Sequence, residues 1–235
     1  MSSSYVFPGG AADPGEDDLR VTAARELFEE AGVLICDRDM PAETIAPWRD
    51  KLNAGECSMN EILAQIGGGI ELALDRLHYY AQWITPSVEK KRYTAVFYVA
   101  VLPAGQTPSM DNREAVDELW ITPAQALERA GELRLPPPQV RTLWELGRVA
   151  ERGIDAVITL ANQHADHRHP IMPRLLPRGS TLTLMLPWDP EYESAGTGDL
   201  LTMPPAHPLA KGPSRFVLED GTWQHIAAPT SPNGA

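Results

Sequence analysis

The chain has 235 residues, a hydrophobic fraction of 43% and a net charge of −12. This composition is typical of one large folded domain, or of one domain with an extension, and it argues against global disorder. The acidic charge argues against a general surface for nucleic acids or anionic membranes, since both kinds of partner favour basic patches.

The sequence carries no recognisable membrane or export segment. Its apolar runs stay well short of the roughly 20 residues that a membrane-spanning helix requires. The first residues lack the basic and apolar regions of a signal peptide. Cys36 and Cys57 are too few for a disulfide framework. We therefore expect a cytoplasmic protein with reduced thiols and no membrane or nucleic-acid partner. Formation of a homodimer is compatible with the sequence.

The first third of the chain is predicted to be mainly helical after a short strand end at residues 5–7. Pro8-Gly9-Gly10 breaks that strand, and a polar loop follows. Asp18 predicts the N-cap of a helix that ends at Gly32. Apolar periodicity predicts further helices over residues 43–52, 60–66 and 70–78, the second with a capping box from Ser58 and Glu61.

Strand patterns then dominate. Residues 79–84, 93–102 and 118–121 are predicted strands, and the long apolar run at 93–102 predicts burial on both faces. Helices are predicted at 123–130, from the prolines at 136–138 onward, and at 154–162. A strand at 181–186 and a hairpin around Asp220-Gly221 follow. We predict an α/β or α+β domain over residues 1–162 and a proline-rich, strand-containing extension over 163–235.

Three glutamates, Glu26, Glu29 and Glu30, crowd the end of the first helix. Residues three and four apart share a helix face, and carboxylates at a helix C-terminus are unfavourable by about 0.3–1 kcal/mol each. A divalent cation would remove this conflict, because Mg²⁺ and Mn²⁺ take clustered oxygen ligands. The other interpretation is a solvated acidic helix end, and the glutamates alone leave both open.

The residues around these glutamates resemble the signature of the Nudix hydrolases. Gly10, five residues and then Glu16 match its first part, and the run RELFEEAGV from Arg25 matches its second part throughout. One departure is that eight residues, rather than seven, separate Glu16 from Arg25. Either the loop absorbs the extra residue, or Asp17 takes the place of the first glutamate.

The resemblance implies an α/β/α sandwich with a mixed sheet, a helical insertion after the signature and a strand-rich C-terminal extension. It also implies hydrolysis of a small-molecule substrate at the diphosphate of a nucleoside diphosphate linked to another moiety, with Mg²⁺ or Mn²⁺ as cofactor. The metal ligands would be Glu26, Glu29 and Glu30. The catalytic residues would be Glu26, Glu29 and Arg25, with Glu26 acting on the attacking water and Arg25 holding Glu26.

Other site residues follow from the same resemblance. Gly9 and Gly10 would let the loop approach the substrate, and Gly32 would end the helix. An additional acid is expected from among Glu16, Glu114 and Glu118, the last two lying in a segment similar to the acidic segment of the family.

A narrower resemblance, spread over about residues 5–146, is to the coenzyme A diphosphatase-like branch. It rests on YVFPGG, WITP, KRYTAVFYVAVLP and LPPPQVRTLWEL, and it implies CoA or acyl-CoA as substrate. Nudix domains normally have a strand or two before the Phe-Pro-Gly-Gly turn, whereas six residues precede Phe7 here. We therefore expect either that N-terminal strands are missing or that the sheet is completed differently. A non-catalytic Nudix-fold nucleotide-binding or regulatory module, or an inactive truncated product, is the alternative.

Overall fold

The computed structural model describes residues 4–110, 118–177, 181–204 and 206–228, and it confirms the predicted mixture of helices and strands. The helices within these ranges are α1 Leu19–Ala31, α2 Ala42–Asn53, α3 Met59–Ile66, α4 Pro123–Glu128, α5 Ala130–Leu133, α6 Pro137–Gly147, α7 Ile154–Asp166 and α8 Tyr192–Ala195. The strands are β1 His78–Ile84, β2 Thr94–Val99, β3 Arg174–Leu176, β4 Thr183–Met185, β5 Arg215–Glu219 and β6 Thr222–Ile226. In this part of the chain, none of the helices combines the length and apolar character that a bilayer crossing would need.

The chain divides into two compact units. One consists of Met1–Val6, Tyr79–Phe97 and Ile121–Ala235, and the other of Phe7–His78 and Tyr98–Trp120. The second unit contains α1, α2 and α3, and therefore the whole glutamate cluster. The predicted domain boundary at residues 162 and 163 stays a prediction.

Local capping residues explain where α1 begins and ends and where α3 begins. The Asp18 side chain accepts a hydrogen bond from the Arg20 backbone N–H at the start of α1. Gly32 closes α1 in the left-handed conformation, with φ of 67°, which glycine adopts without steric cost. Ser58 and Glu61 form the predicted capping box of α3. These predictions are confirmed.

The helix predicted at residues 70–78 is wrong. Gly67, Gly68 and Gly69 all have φ between 66° and 82°, which prevents α3 from continuing. The next residues extend and pair with the segment after α1: the Ala73 N–H donates to Ile35 O, and the Asp37 N–H donates to Glu71 O. Only a single 3-10 turn at Leu74–Arg76 follows, although the buried residues Ile70, Ala73 and Leu77 keep the spacing of three and four that predicted a helix.

The strand predicted at residues 93–102 is confirmed as β2 but its predicted burial is wrong, and the strand predicted at 118–121 is wrong. Strand β2 pairs with β1 in a two-stranded sheet, and each of its six residues is exposed or half-buried rather than buried on both faces. Two strands alone cannot bury both faces of β2, because burial would require further layers packed against the sheet. Residues 118–121 form no strand, and the Trp120 side chain is 70% exposed.

The core of the second unit fixes the orientation of α1. Ala24 and Phe28 lie four residues apart on one face of α1, and both are fully buried. Phe28 belongs to a core cluster with residues from α2, α3 and the segments after α1 and α3: Leu34, Cys36, Ile45, Leu52, Met59, Ile62, Leu63 and Ile70. Burial of this face leaves Glu26, Glu29 and Glu30 on the half-buried remainder of the helix.

The first unit contains a four-stranded antiparallel sheet in the order β3-β4-β5-β6. The predicted hairpin between β5 and β6 is confirmed. Asp220 and Gly221, with φ of 48° and 77°, are both left-handed, as a two-residue turn of type I′ requires.

His225 on β6 predicts a pH dependence of stability. Its Nε2 donates to Pro213 O at 3.1 Å, and its ring stacks on Phe216 at 4.5 Å. Burial, with a smaller effect from Arg141, lowers the pKa of His225 from 6.5 to about 3. The folded state thus binds the proton more weakly than the unfolded state, so the free energy of unfolding should fall as the pH falls from 6.5 toward 3.

Between pH 7 and pH 5, His225 is expected to account for a loss of about 2 kcal/mol in the free energy of unfolding. Urea unfolding at both pH values, for the parent and for His225→Phe, measures the effect. The variant removes this titration together with the hydrogen bond to Pro213 O, so its absolute stability can differ but should change less with pH. Identical pH dependence in the two proteins would contradict the assignment.

Candidate functional site

Arg25 is the centre of the glutamate cluster. It lies on α1 with a side chain 9% exposed, and all five of its N–H groups have acceptors. Nε donates to Glu16 Oε1 at 2.8 Å and Nη2 to Glu16 Oε2 at 3.1 Å. Nη1 donates to Glu26 Oε1 at 2.9 Å and to Glu29 Oε2 at 2.8 Å. Nη2 also donates to Ala11 O at 2.9 Å, so one guanidinium joins three carboxylates to the loop before the helix.

A tight turn brings Glu16 to this position. The Glu16 N–H donates to Asp13 O at 3.0 Å, and Gly15 has φ of 95° within that turn. The Glu16 carboxylate also accepts from the Asp13 N–H and from Thr22 Oγ1. This turn absorbs the extra residue upstream of the helix. Glu16, rather than the exposed Asp17, therefore contacts Arg25.

The charges in the cluster shift the pKa values in different directions. The hydrogen bond from Arg25 lowers the pKa of Glu16 to about 2. Hydrogen bonding to Glu16 raises the pKa of Arg25, so the guanidinium stays charged. Burial raises the pKa of Glu29, although Arg25 acts in the opposite direction. The ionised Glu29 carboxylate is therefore disfavoured where it lies, a cost that an additional cation would offset.

The Phe-Pro-Gly-Gly loop lies against the same carboxylates. The Gly9 N–H donates to Glu30 Oε2 at 2.9 Å. A Cβ at Gly10 would lie 2.4 Å from Glu26 Oε1, so only a residue without a side chain permits this close approach. Gly9 and Gly10 thus lie beside Glu30 and Glu26, two of the predicted metal ligands.

The donor set suits a hard divalent cation. Glu26, Glu29 and Glu30 offer carboxylate oxygens within two helical turns, the ligand type that Mg²⁺ and Mn²⁺ prefer. In the described ranges, no three His, Cys, Asp or Glu side chains already converge as ligands of one metal ion. Two of the three carboxylates instead bond to Arg25 and the third to the Gly9 N–H.

The three candidates for an additional acidic residue, Glu16, Glu114 and Glu118, differ in position. Glu16 contacts Arg25, as described above. Glu118 is exposed. Glu114 lies outside the described residues.

Sequence reasoning missed Arg49 and Asn53. Both lie on α2 and donate hydrogen bonds to the backbone at the end of α1. One feature pointed toward them: α1 ends in acidic residues and has no basic residue in its last turn, so a cation from elsewhere was to be expected.

Comparison with known proteins supports the resemblance. The family model described as the NUDT19 Nudix domain matches residues 9–149, which is more than half of the chain. The matched region includes the Phe-Pro-Gly-Gly glycines, α1 and α2. No solved structure matches the chain.

Three curated relatives show the extent of similarity. "Putative nudix hydrolase 7" of Caenorhabditis elegans is 29% identical over 180 residues, which cover 74% of this chain and 58% of the relative. "Acyl-coenzyme A diphosphatase NUDT19" of Xenopus laevis is 27% identical over 161 residues, covering 60% of this chain and 41% of the relative. The human protein of the same name is 27% identical over 155 residues, covering 58% and 40%. The chain thus spans only about two fifths to three fifths of these relatives. On the match of its family model, the chain belongs to the Nudix family, in the NUDT19 branch.

Proposed function

We propose that this protein is a Mg²⁺- or Mn²⁺-dependent hydrolase that cleaves the diphosphate bond of a nucleoside diphosphate derivative. The observation that carries the proposal is the cluster around Arg25, in which Glu16, Glu26 and Glu29 share one guanidinium. Glu30 completes the set through its bond to the Gly9 N–H. Such a concentration of half-buried negative charge is costly for folding alone.

A divalent cation held by Glu26, Glu29 and Glu30 would neutralise the diphosphate oxygens and make a nearby water more acidic. In the proposed reaction, water attacks one phosphorus, the bridging P–O bond breaks, and Glu26 accepts the proton of the water. Arg25 keeps the Glu26 and Glu29 carboxylates in place through bonds of 2.9 and 2.8 Å. The glycine loop lets the substrate approach without side-chain obstruction.

CoA or acyl-CoA is our best candidate for the substrate. Two of the relatives described above carry the name acyl-coenzyme A diphosphatase. Cleavage of the diphosphate of CoA would give 3′,5′-ADP and phosphopantetheine. Cytoplasmic location and homodimer formation stay predictions.

A binding module without turnover is the second candidate. It is favoured by one observation: the carboxylates of Glu26 and Glu29 already bond to Arg25 in the described structure. In such a protein the cluster would order the glycine loop for ligand binding and would hydrolyse nothing.

One assay distinguishes the hydrolase from the binding module. The purified protein is incubated with Mg²⁺ or Mn²⁺ and with one of CoA, acyl-CoA, ADP-ribose, NADH or a dinucleoside polyphosphate. We expect metal-dependent release of 3′,5′-ADP from CoA or acyl-CoA, abolished by EDTA. Turnover of another compound in the panel would keep the reaction class and replace the substrate. Ligand binding without turnover of any compound would favour the second candidate.

The close approach at Gly10 gives a separate prediction. Gly10→Ala should displace the Glu26 carboxylate, because the added methyl would lie 2.4 Å from Oε1. We expect a loss of about 10–100-fold in kcat/KM, the range found when groups that orient a metal site are changed. Gly9→Ala is the comparison variant in the same loop: its added Cβ meets no heavy atom within 4 Å, but its φ of 158° disfavours a side chain, so it reports backbone strain without contact to Glu26. A loss below about threefold for Gly10→Ala, well under the range for such groups, would contradict its role.

A further inference from the structure

The last five backbone carbonyls of α1 all have hydrogen-bond donors, although a helix end normally leaves such groups without intrahelical partners. The Gly32 N–H donates to Phe28 O, and the Val33 N–H donates to Leu27 O at 3.4 Å. The Ala31 carbonyl accepts from the Ser109 N–H at 3.0 Å. The carbonyls of Glu29 and Glu30 remain, and both belong to proposed metal ligands.

Helix α2 supplies the donors for these two carbonyls. Arg49 Nε donates to Glu29 O at 2.9 Å, and Arg49 Nη2 donates to Glu30 O. Asn53 Nδ2 donates to Glu29 O at 3.1 Å. Arg49 and Asn53 lie four residues apart, on one face of α2, and therefore reach the same helix end.

Arg49 is itself held firmly. The residue is 8% exposed, and its Nη1 donates to Ser109 Oγ at 3.2 Å. Ile45, one turn earlier on the same face, is 1% exposed in the core cluster that contains Phe28. A Cβ at Gly32 would lie 3.1 Å from Arg49 Nη1, so the helix-ending glycine also leaves room for the guanidinium.

The positive charge of Arg49 lies at the C-terminus of α1, where it is electrostatically favourable. The C-terminus of a helix carries partial negative charge, three carboxylates add to it, and the last turn of α1 has no basic residue. A guanidinium bound to the terminal carbonyls opposes this field. It does so from the backbone side, whereas Arg25 bonds to the carboxylates themselves.

We propose that α2 is a positioning element of the active site and that Arg49, assisted by Asn53, sets the backbone from which Glu29 and Glu30 reach the metal. Arg25 holds the carboxylate side chains at the end of α1, whereas Arg49 holds the main chain of the same helix end. The inference rests on the proposed metal-dependent function, and it assigns part of that function to the helical insertion after the signature.

Arg49→Met tests this role, with Mn²⁺ binding followed by electron paramagnetic resonance and hydrolysis of CoA followed in parallel. We expect Mn²⁺ affinity and kcat each to fall about 10–100-fold, as for other groups that support metal ligands, with a smaller change in KM. Arg49→Lys offers one ammonium in place of the planar fork and should recover only part of the loss. Asn53→Ala, which removes one of two donors to Glu29 O, should shift Mn²⁺ affinity in the same direction by less.

Arg38→Met is the matched control, because Arg38 lies in the same unit and its side chain is 47% exposed in a pair with Asp37. Circular dichroism gives the melting temperature of each variant, so that Mn²⁺ binding and hydrolysis can be measured well below it. If Arg49→Met folds and binds Mn²⁺ within about twofold of the control, the positioning role is overturned. Should that variant not fold, unchanged Mn²⁺ affinity in both Arg49→Lys and Asn53→Ala would overturn it equally. A parent protein that binds no Mn²⁺ would instead remove the proposed function itself, and the inference with it.

Discussion

Replacing Glu29 or Glu30 by glutamine is expected to lower kcat by about 10²–10³-fold, the range typical when one preorganised electrostatic group is removed from an active site. Glutamine keeps the size of each side chain and one acceptor oxygen, so Glu30→Gln can still accept from the Gly9 N–H. What is lost is the negative charge that a divalent cation requires. Steady-state hydrolysis of CoA at several Mg²⁺ concentrations measures the effect.

The free energy of unfolding should change little in these variants, so a loss of kcat would not be caused by unfolding. Because burial raises the pKa of Glu29 even beside Arg25, its charged form contributes no net stability at neutral pH. Melting temperatures in EDTA should therefore be unchanged or slightly higher. Glu56→Gln, an exposed carboxylate of the same unit, is the control and should keep full activity. Full metal-dependent activity in Glu29→Gln or Glu30→Gln would show that the ligand assignment is wrong.

The largest effect on stability is expected from Arg141→Met in the first unit. Arg141 is 1% exposed and donates to Glu145 Oε1 at 2.9 and 2.6 Å and to Leu209 O at 3.0 Å. Its guanidinium also lies 4.7 Å from each of two indole rings, Trp144 and Trp188. Removing one partner of a buried ion pair leaves the other charge uncompensated, which costs about 3–5 kcal/mol. For a chain of this size, that loss lowers the melting temperature by roughly 6–20 °C.

The double variant Arg141→Met with Glu145→Gln distinguishes lost packing from an uncompensated charge. If the charge dominates, the double variant should be more stable than Arg141→Met alone, because no buried carboxylate remains unpaired. Arg129→Met is the matched control: Arg129 pairs with Glu132 at the surface of the same unit, and such pairs contribute about 0–1 kcal/mol. A loss below about 1 kcal/mol for Arg141→Met would contradict the expectation, since buried pairs normally exceed that figure.

The sequence predicted those elements whose cause is local. The first helix is bounded by Asp18 and Gly32, and these residues act through their own hydrogen bonds and backbone angles. The turn at Asp220-Gly221 is equally local, because two left-handed residues decide it. The contact between Arg25 and Glu26 was implied by the resemblance to the Nudix signature, and the structure contains it at 2.9 Å.

Features that depend on distant partners were not predictable in the same way. Residues 70–73 are extended because their backbone pairs with Ile35 and Asp37, some 35 residues earlier. Apolar content alone suggested burial for β2, but the neighbouring layers decide that property. Arg49 meets Glu29 O and Glu30 O only after α2 has folded against the core, and no spacing in the sequence encodes that contact.

The contacts of Arg141 have a consequence for experiments that shorten the chain. Its acceptors at Leu209 and Pro213 lie about one tenth of the chain length before the last residue, whereas Arg141 itself lies in the region that the family model matches. A protein that ended near residue 162 would lose both acceptors and Trp188, and the surface of α6 that these residues cover would become exposed. We expect such a fragment to aggregate on expression, so screening of shortened forms should retain the residues through β6.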